Sequence, residues 1–571
     1  MEASFWDGKR APGINDTLEL GRFDSVAEVF AFSVKKYATK TAFTNMGVSL
    51  TYQELDQLST QFMAWIQHNT DLKPGDRIAV QMPNTLQYPV AVLGIAKAGL
   101  VLVNTNPLYT AREMVHQFND SGAKALLFMD TFGQLVEEVL PQTKVETVIV
   151  SSLGDLLPFT KRLLINTVTR HIKKIIPSFD RSKMTSFRDA LALGRQHKNV
   201  QPTTLSSPDD VVALQYTGGT TGVAKGAELT NRNLVSNMLQ IDALAQQTDE
   251  QGRPMRGENE VAVAPLPLYH IYAFTVNLMY GMFGGGETIL ITNPRDADMF
   301  LRALKGRRFT SFAGLNTLFV SLMNHPEFKS LDFSGLKQTG SGGTALSPDT
   351  AKRWHEITGA RIGEGFGLTE CSPVVCSSPA GSFIQDGTVG TPAPGTTLKV
   401  IDDEGNELPI GERGELCVQG PQVMKGYWGR PEATEECLSK DGWFKTGDVA
   451  VIQEDGFVRI VDRVKDLVLV SGFNVYPNEI EDVVTSHPHV EFSAVVGIPD
   501  EKTGEAVKLY VVANDSSLTK EVLDAHCRKN LTAYKIPRQI EFRDELPMSA
   551  VGKILRKELR AEALSQHSKN A

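Results

Sequence analysis

The sequence predicts an α/β protein in two unequal parts: a large, multi-subdomain N-terminal domain with α/β sheets and a small, mobile C-terminal α/β domain. Short Val/Ile/Leu-rich runs alternate with longer helical patterns, the signature of buried sheets covered by helices. At 571 residues the chain is too long for a single hydrophobic core. A charged joint, Asp462 to Leu467, separates two compact patterns and divides the chain into 1–461, a hinge 462–467 and a C-terminal cap 468–571.

Composition excludes several classes. With 41% hydrophobic and 22% charged residues, and with 48 Gly and 28 Pro spread along the chain, this is an ordinary globular protein. The formal charge of -9 disfavours nucleic acid as the main partner. Five cysteines, Cys371, Cys376, Cys417, Cys437 and Cys527, form no CxxC and no zinc-ligand spacing, and read as reduced core thiols.

Taken in order, Met1 to Arg10 carries Glu2 and Asp7 and no apolar core, so no secretory signal is expected and the compartment is read as cytoplasm. Ile78–Met82 reads as a buried strand. The longest apolar stretch, Tyr88 to Val103, is interrupted by Lys97 and glycines and falls short of the roughly 20 residues of a spanning helix. Between Pro158 and Pro177 there is no acidic residue. At 100° per residue, Leu164, Ile165, Val168, Ile172, Ile175 and Ile176 fall within about 120° of one helical face, with Arg162, Arg170, Lys173 and Lys174 around the rest. A basic amphipathic helix in an acidic protein suits the inner face of an anionic cytoplasmic membrane, and it equally suits a helix packed on its own domain.

Val211–Gln215 reads as a strand, and it runs into Tyr216-Thr217-Gly218-Gly219-Thr220-Thr221-Gly222-Val223-Ala224-Lys225-Gly226. Glycines let backbone N–H groups approach an anion, the hydroxyls donate to phosphate oxygens, and Lys225 adds charge. Gly follows the Lys where a Walker loop has Ser or Thr, and no helix starts there. The next helix, Asn231–Gln247, is capped at Thr230 or Asn231 after another short strand, and Thr288–Thr292 is a further strand. Asp455-Gly456 marks a hairpin between Val449–Gln453 and Phe457–Val461. With a two-residue loop, Asp448 and Arg463 lie directly opposite each other at its open end. Ala494–Ile498 and Val507–Val512 are strands of the cap, Lys520–Leu531 is a helix, and a last helix begins at Ile554.

The hydroxyl-rich loop resembles that of the adenylate-forming superfamily of acyl-CoA synthetases, luciferases and nonribosomal adenylation domains, where it holds the pyrophosphate of ATP. The resemblance implies nucleotide-binding roles for Thr217, Gly218, Gly219, Thr220, Thr221, Gly222 and Lys225, and for Gly342, Gly343 and Thr344. Gly365-Phe366-Gly367-Leu368-Thr369-Glu370 looks like the adenine segment, with Phe366 where Tyr is usual, so a stacking face is kept and a hydroxyl lost. Glu370, with Thr217, would hold Mg2+, and both are carried over as catalytic. Thr446-Gly447-Asp448 resembles the ribose element, with Arg463 across from it. Lys553, in Pro547 to Leu555, matches the catalytic lysine, a cation placed between a carboxylate and an α-phosphate. Lys465 matches the hinge about which the cap rotates, and Gly472 then lies by the pantetheine channel of CoA.

Over nearly the whole chain the resemblance is closest to the bacterial long-chain fatty acyl-CoA synthetases, through runs such as Asn106 to Thr110, Leu290 to Asp296 and Asp462 to Glu481. It implies ATP, Mg2+ and CoA as cofactor and cosubstrates, a long-chain fatty acid as substrate, and an acyl pocket at His270 and Phe274. A medium-chain or aryl acid, and a non-catalytic nucleotide-binding role, stay open. Chain-length preference and oligomeric state, a homodimer included, are not readable.

Overall fold

The computed structural model describes residues 3–15, 18–217, 223–248, 254–257, 259–500, 502–549 and 552–570. Two largely parallel sheets build the N-terminal part. In the first, the order across the sheet is Thr185–Ser186, Thr147–Ser151, Ala123–Met129, Arg77–Gln81, Val101–Asn104, Val211–Thr217 and Lys225–Thr230. Only the last pair is antiparallel. Its inner strands Arg77–Gln81 and Val101–Asn104 are buried almost end to end because helices cover both faces. The second sheet has a parallel centre, in the order Ile362–Gly367, Gln338–Gly342, Ser311–Gly314, Val261–Ala264, Glu287–Leu290 and Thr41–Asn45, with antiparallel strands at both edges.

The helix Asn231–Ala245 is buried almost throughout, and a Thr230–Asn233 capping box closes its N-terminus. Its polar residues bind backbone instead of water: Asn233 donates to the Val423 carbonyl (2.7 Å), Asn237 to that of Val374 (2.8 Å) and Gln240 to that of Pro394 (2.9 Å). The helix thereby fixes the second sheet and the segment after it. The apolar stretch 88–103 resolves into the helix Gln87–Lys97 and the strand Val101–Asn104. No described helix is long and apolar enough to cross a membrane. All five cysteines are free thiols, four of them buried.

A four-stranded antiparallel sheet, Thr397–Ile401, Arg413–Gln419, Phe444–Ile452 and Val458–Arg463, leads into the C-terminal part. Asp448 does pair with Arg463, but by a different route from the one the turn dipeptide suggests. The Gln453 N–H donates to the Phe457 carbonyl and the Gly456 N–H to that of Gln453, so the loop is Glu454-Asp455-Gly456, with Gly456 at φ +87°. That is a three-residue connection with Gly in the left-handed position. It pairs Ile452 with Val458, one residue out of the expected register, and a bulge at Val461 restores the Asp448–Arg463 pair.

Beyond a 3-10 turn, Val464–Asp466, the C-terminal part has its own sheet, ordered Phe473–Val475, Val468–Val470, Gly504–Ala513 and Val490–Asp500, with Gln539–Phe542 beside Gly504–Ala513. Both faces carry apolar cores separate from those of the N-terminal part, one around Val468, Leu509 and Leu523 and one around Ala494, Tyr510 and Leu559. The strands and the helix Lys520–Asn530 fall where expected; the last helix starts at Arg556, after a β-bridge between Met548 and Ile554.

The 158–177 segment departs from one continuous helix. An α-helix Phe159–Thr167 passes into a π-helical turn Val168–Ile172, and Lys174 turns left-handed at φ 50°. The single apolar face expected at 100° per residue therefore breaks at Thr167.

Candidate active site

Parallel strands end together at one edge of the second sheet, and that edge builds the site. Gly342 pairs with Gly365, so Gly342-Gly343-Thr344 and Gly365-Phe366-Gly367-Leu368 leave adjacent strands side by side. Crevices beyond the carboxyl ends of parallel strands are where α/β sheets bind ligands. They open here on a cleft of ≈ 3220 Å³, which is also lined by Thr217, Lys225, Thr369, Glu370, Asp448, Arg463, Lys465 and Lys553. A single-ligand pocket holds about 300–1,000 Å³. This cleft accommodates more than one substrate.

Thr217 ends its strand opposite Lys225, and both line the cleft; Gly218, Gly219, Thr220, Thr221 and Gly222 lie outside the described residues. The Lys225 ammonium sits 5.1 Å from the centroid of the Tyr427 ring. Tyr427 in turn donates its hydroxyl to Glu370 Oε1 at 2.7 Å. Burial and the neighbouring Glu370 raise the Tyr427 phenol far out of its titrating range, so the proton stays on the phenol. One oxygen of Glu370 is thus fixed and the other remains as a hard donor.

Asp448 and Arg463 face each other across the hairpin at 3.4 Å, the carboxylate 6% exposed and the guanidinium 47%. Burial pushes the Asp448 carboxyl up to about 6, against the pull of Arg463 and Lys553. The carboxylate is formed at neutral pH.

Lys553 reaches this site from the C-terminal part. Ser549 and Lys553 close a tight turn: the Ser549 N–H donates to the Lys553 carbonyl (2.7 Å) and the Lys553 N–H to Ser549 Oγ (3.0 Å), with Gly552 at φ +80°. Thr317 holds the turn from the N-terminal side by donating to the Gly552 carbonyl (3.2 Å), and Arg295 donates to that of Ser549 (3.4 Å). Gly343 gives the lysine room: a Cβ there would stand 3.1 Å from Lys553 Cε. Burial, with the charge of Arg463 beside it and against the pull of Asp448, lowers the ammonium to about 8.

Two buried hydroxyls at the same edge, Ser341 Oγ and Thr344 Oγ1, have no partner within the protein. Orphaned polar atoms lining a cleft suit a ligand rich in hydrogen-bonding groups. Among the described residues, no cluster of three His, Cys, Asp or Glu side chains could bind a metal alone. One carboxylate with threonine hydroxyls fits Mg2+, which takes most of its oxygens from phosphate and water.

His270 also lines the cleft; its Nδ1 accepts the Tyr272 N–H (3.3 Å), and burial with the charge of Lys553 takes the imidazole down to about 3. It is neutral throughout the working range. Phe274 is elsewhere. It is 2% exposed and lies in the main core, beside a small apolar cavity shared with Val26, Phe30 and Leu102. The reason is helical period: Tyr272, Val276 and Tyr280, four residues apart, share the cleft face, and Phe274, two residues from Tyr272 and Val276, turns inward. Gly472, at φ +83° in the exposed turn between Val468–Val470 and Phe473–Val475, is not among the cleft-lining residues.

Three side chains escaped the sequence reading. Tyr427 had no motif around it, and Thr317 is visible only through its contact. Arg556 binds Glu481 and Asn478, Asp466 at 3.4 Å and Asp462 at 3.8 Å, straddling the hinge. Its signal was a lone Arg three residues after Lys553, which reads equally as a solvated helix start.

The family model described as AMP-binding enzyme matches residues 30–428, and that of the AMP-binding enzyme C-terminal domain matches 479–553. A long-chain-fatty-acid–CoA ligase of Salmonella typhimurium is 49% identical over 542 residues, 95% of each chain. One of Haemophilus influenzae is 45% identical over 568 residues, 99% of each. Among solved structures, ATP-bound MatB from Rhodopseudomonas palustris superposes with a TM-score of 0.78 at 29% identity, covering 94% of this chain and 98% of its own.

Proposed function

Because the chain belongs to the AMP-binding enzyme family, we propose that it joins a long-chain fatty acid to coenzyme A, with cleavage of ATP to AMP and pyrophosphate. The observation that carries the reading is the Lys553 turn, delivered by the C-terminal part into a cleft whose other wall bears Asp448, Arg463, Glu370 and the Gly342–Thr344 edge.

In the first half-reaction a carboxylate oxygen of the acid attacks the α-phosphorus of ATP, the bond to the β-phosphate oxygen breaks, and pyrophosphate leaves. Two anions must meet. Lys553 bridges them and stabilises the charge of the transition state. Asp448 accepts the ribose hydroxyls, Arg463 steadies ribose and phosphate, and Phe366 with Gly365, Gly367, Leu368 and Thr369 receives the adenine. The hydroxyls of Ser341 and Thr344 find their missing partners on the nucleotide, and Thr217, Lys225 and the loop between them hold the leaving pyrophosphate. Mg2+, held by Glu370 and Thr217 with phosphate oxygens, supplies charge neutralisation when bound. Tyr427 orients Glu370 for that task.

In the second half-reaction the CoA sulfur attacks the acyl carbon, the bond to the AMP oxygen breaks, and the thiol proton passes to solvent or to the released phosphate. The cap, 468–571, turns about Lys465 so that Lys553 withdraws and Gly472 approaches the thiol path. The acid enters past neutral His270 along a wall formed by Tyr272, Val276 and Tyr280. Since long-chain acids dissolve in membranes, peripheral contact with the cytoplasmic leaflet belongs to the same proposal.

The test is acid-dependent ATP–pyrophosphate exchange over saturated acids of increasing length, with AMP release followed with and without CoA. Exchange with long chains and CoA-dependent turnover are expected. Exchange only with short or aryl acids would overturn the substrate, and none with any acid would overturn the catalysis.

A further inference from the structure

We infer that residues 159–175 form a docking surface for an anionic phospholipid leaflet. One side of the segment is tied to its domain. Asn166 accepts the Gly154 N–H (3.2 Å), Lys161 donates to the Met46 carbonyl, and Thr169 is buried.

The other side is apolar and uncovered: Phe159 is 66% exposed, Leu163 59%, Leu164 63%, Ile172 71% and Ile175 48%. Fifteen large apolar residues are exposed among the described residues, and these five fall within 17 positions. Scattered exposed hydrophobics are ordinary, whereas a cluster on one short element marks a contact surface. Leu164, Ile172 and Ile175 belong to the apolar set expected from the sequence; Phe159 and Leu163 join them because the helix ends at Thr167 and the π-turn redirects the residues beyond it.

Charge chooses the occupant. From residue 156 to 179 there is no Asp or Glu, while Lys161, Arg162, Arg170, Lys173 and Lys174 are all cationic, in a protein whose formal net charge is -9. Arg170, Lys173 and Lys174 are exposed and interleave with Ile172 and Ile175, so one rim offers both cations and aliphatic side chains. Lipid headgroups present phosphate directly above hydrocarbon, and an interfacial helix meets both layers at once. Each such cation near an anionic surface strengthens binding roughly fivefold. An otherwise acidic protein is repelled by that surface, so one local basic apolar patch also orients it. The partner follows from the proposed long-chain acid substrate, which dissolves in the leaflet, and the inference rests on that reading.

The experiment is flotation of the full-length protein with vesicles of phosphatidylglycerol and phosphatidylcholine, or of phosphatidylcholine alone. The wild type should float with the anionic vesicles and be released by salt. Arg170→Gln/Lys173→Gln/Lys174→Gln should bind about a hundredfold more weakly, and Leu163→Ser/Leu164→Ser/Ile172→Ser should also lose binding. Both variants should keep ATP–pyrophosphate exchange with detergent-dispersed acid, which shows that they are folded. A wild type that stays unbound, or a triple Gln variant that binds like it, overturns the surface. Exchange that fails with every long-chain acid overturns the substrate reading, independently of flotation.

Discussion

Lys553 and Asp448 titrate on either side of neutrality, and their signs set a bell-shaped profile. In the proposed mechanism the lysine works as a cation and loses its proton as pH rises through about 8; the aspartate works as an anion and gains one as pH falls through about 6. The kcat/KM of adenylation, which reports the free enzyme, should therefore be highest between about 6 and 8 and fall on both sides. Lys553→Ala should lower exchange by at least about a hundredfold while sparing thioester formation from added acyl-adenylate. Tyr427→Phe removes the hydroxyl that fixes Glu370 Oε1, and a Mg2+ titration of exchange should show about tenfold weaker apparent affinity. Most of these side chains were legible because they sit in short motifs whose chemistry is local, such as a Gly-Lys turn or a Thr-Gly-Asp. Tyr427 was not, since its role depends on the Glu370 that the fold brings to it. Phe274 reads as a pocket residue in the sequence and is a core residue in the fold, because it lies on the helical face opposite Tyr272, Val276 and Tyr280.

At the scale of elements, strands and helices were readable from their periods, and their pairing was not. Phe43 lies beside Thr288 in one sheet, a non-local choice made by packing that no local pattern encodes. The hairpin shows both limits: Asp-Gly located the turn, yet only the structure reveals that a longer loop and a bulge at Val461 together bring Asp448 opposite Arg463. The strand end at Gly343 is constrained twice, by φ +87° and by the Lys553 methylene that a Cβ would meet at 3.1 Å. Gly343→Ala should cost about 1–3 kcal/mol from the backbone alone, visible as a lower Tm, and should lower exchange about tenfold as Lys553 is displaced.

For the whole molecule, a large and a small body were legible in the sequence, and each has its own core. The contacts that hold them in register were not legible. Glu364, on the sheet edge, is pushed up to about 7 by burial, with Asp482 of the C-terminal body adding to the shift. A carboxyl raised on folding is destabilising once ionised, so stability at this site falls as pH rises from the ordinary glutamate range through about 7. Glu364→Gln should accordingly raise Tm by an amount that grows over that window, read by calorimetry at several pH values. Across the hinge, buried Asp462 accepts the Asn478 N–H (2.8 Å) and faces Arg556, three residues beyond Lys553. Asp462→Asn should slow adenylation more than thioester formation, as separate half-reaction rates would show. These contacts join residues far apart in the chain, Asp462 with Asn478 and Arg556, and Glu364 with the neighbourhood of Asp482. In the proposed mechanism such contacts favour one order of events: nucleotide and acid meet a catalytic centre already assembled, and the thiol waits its turn.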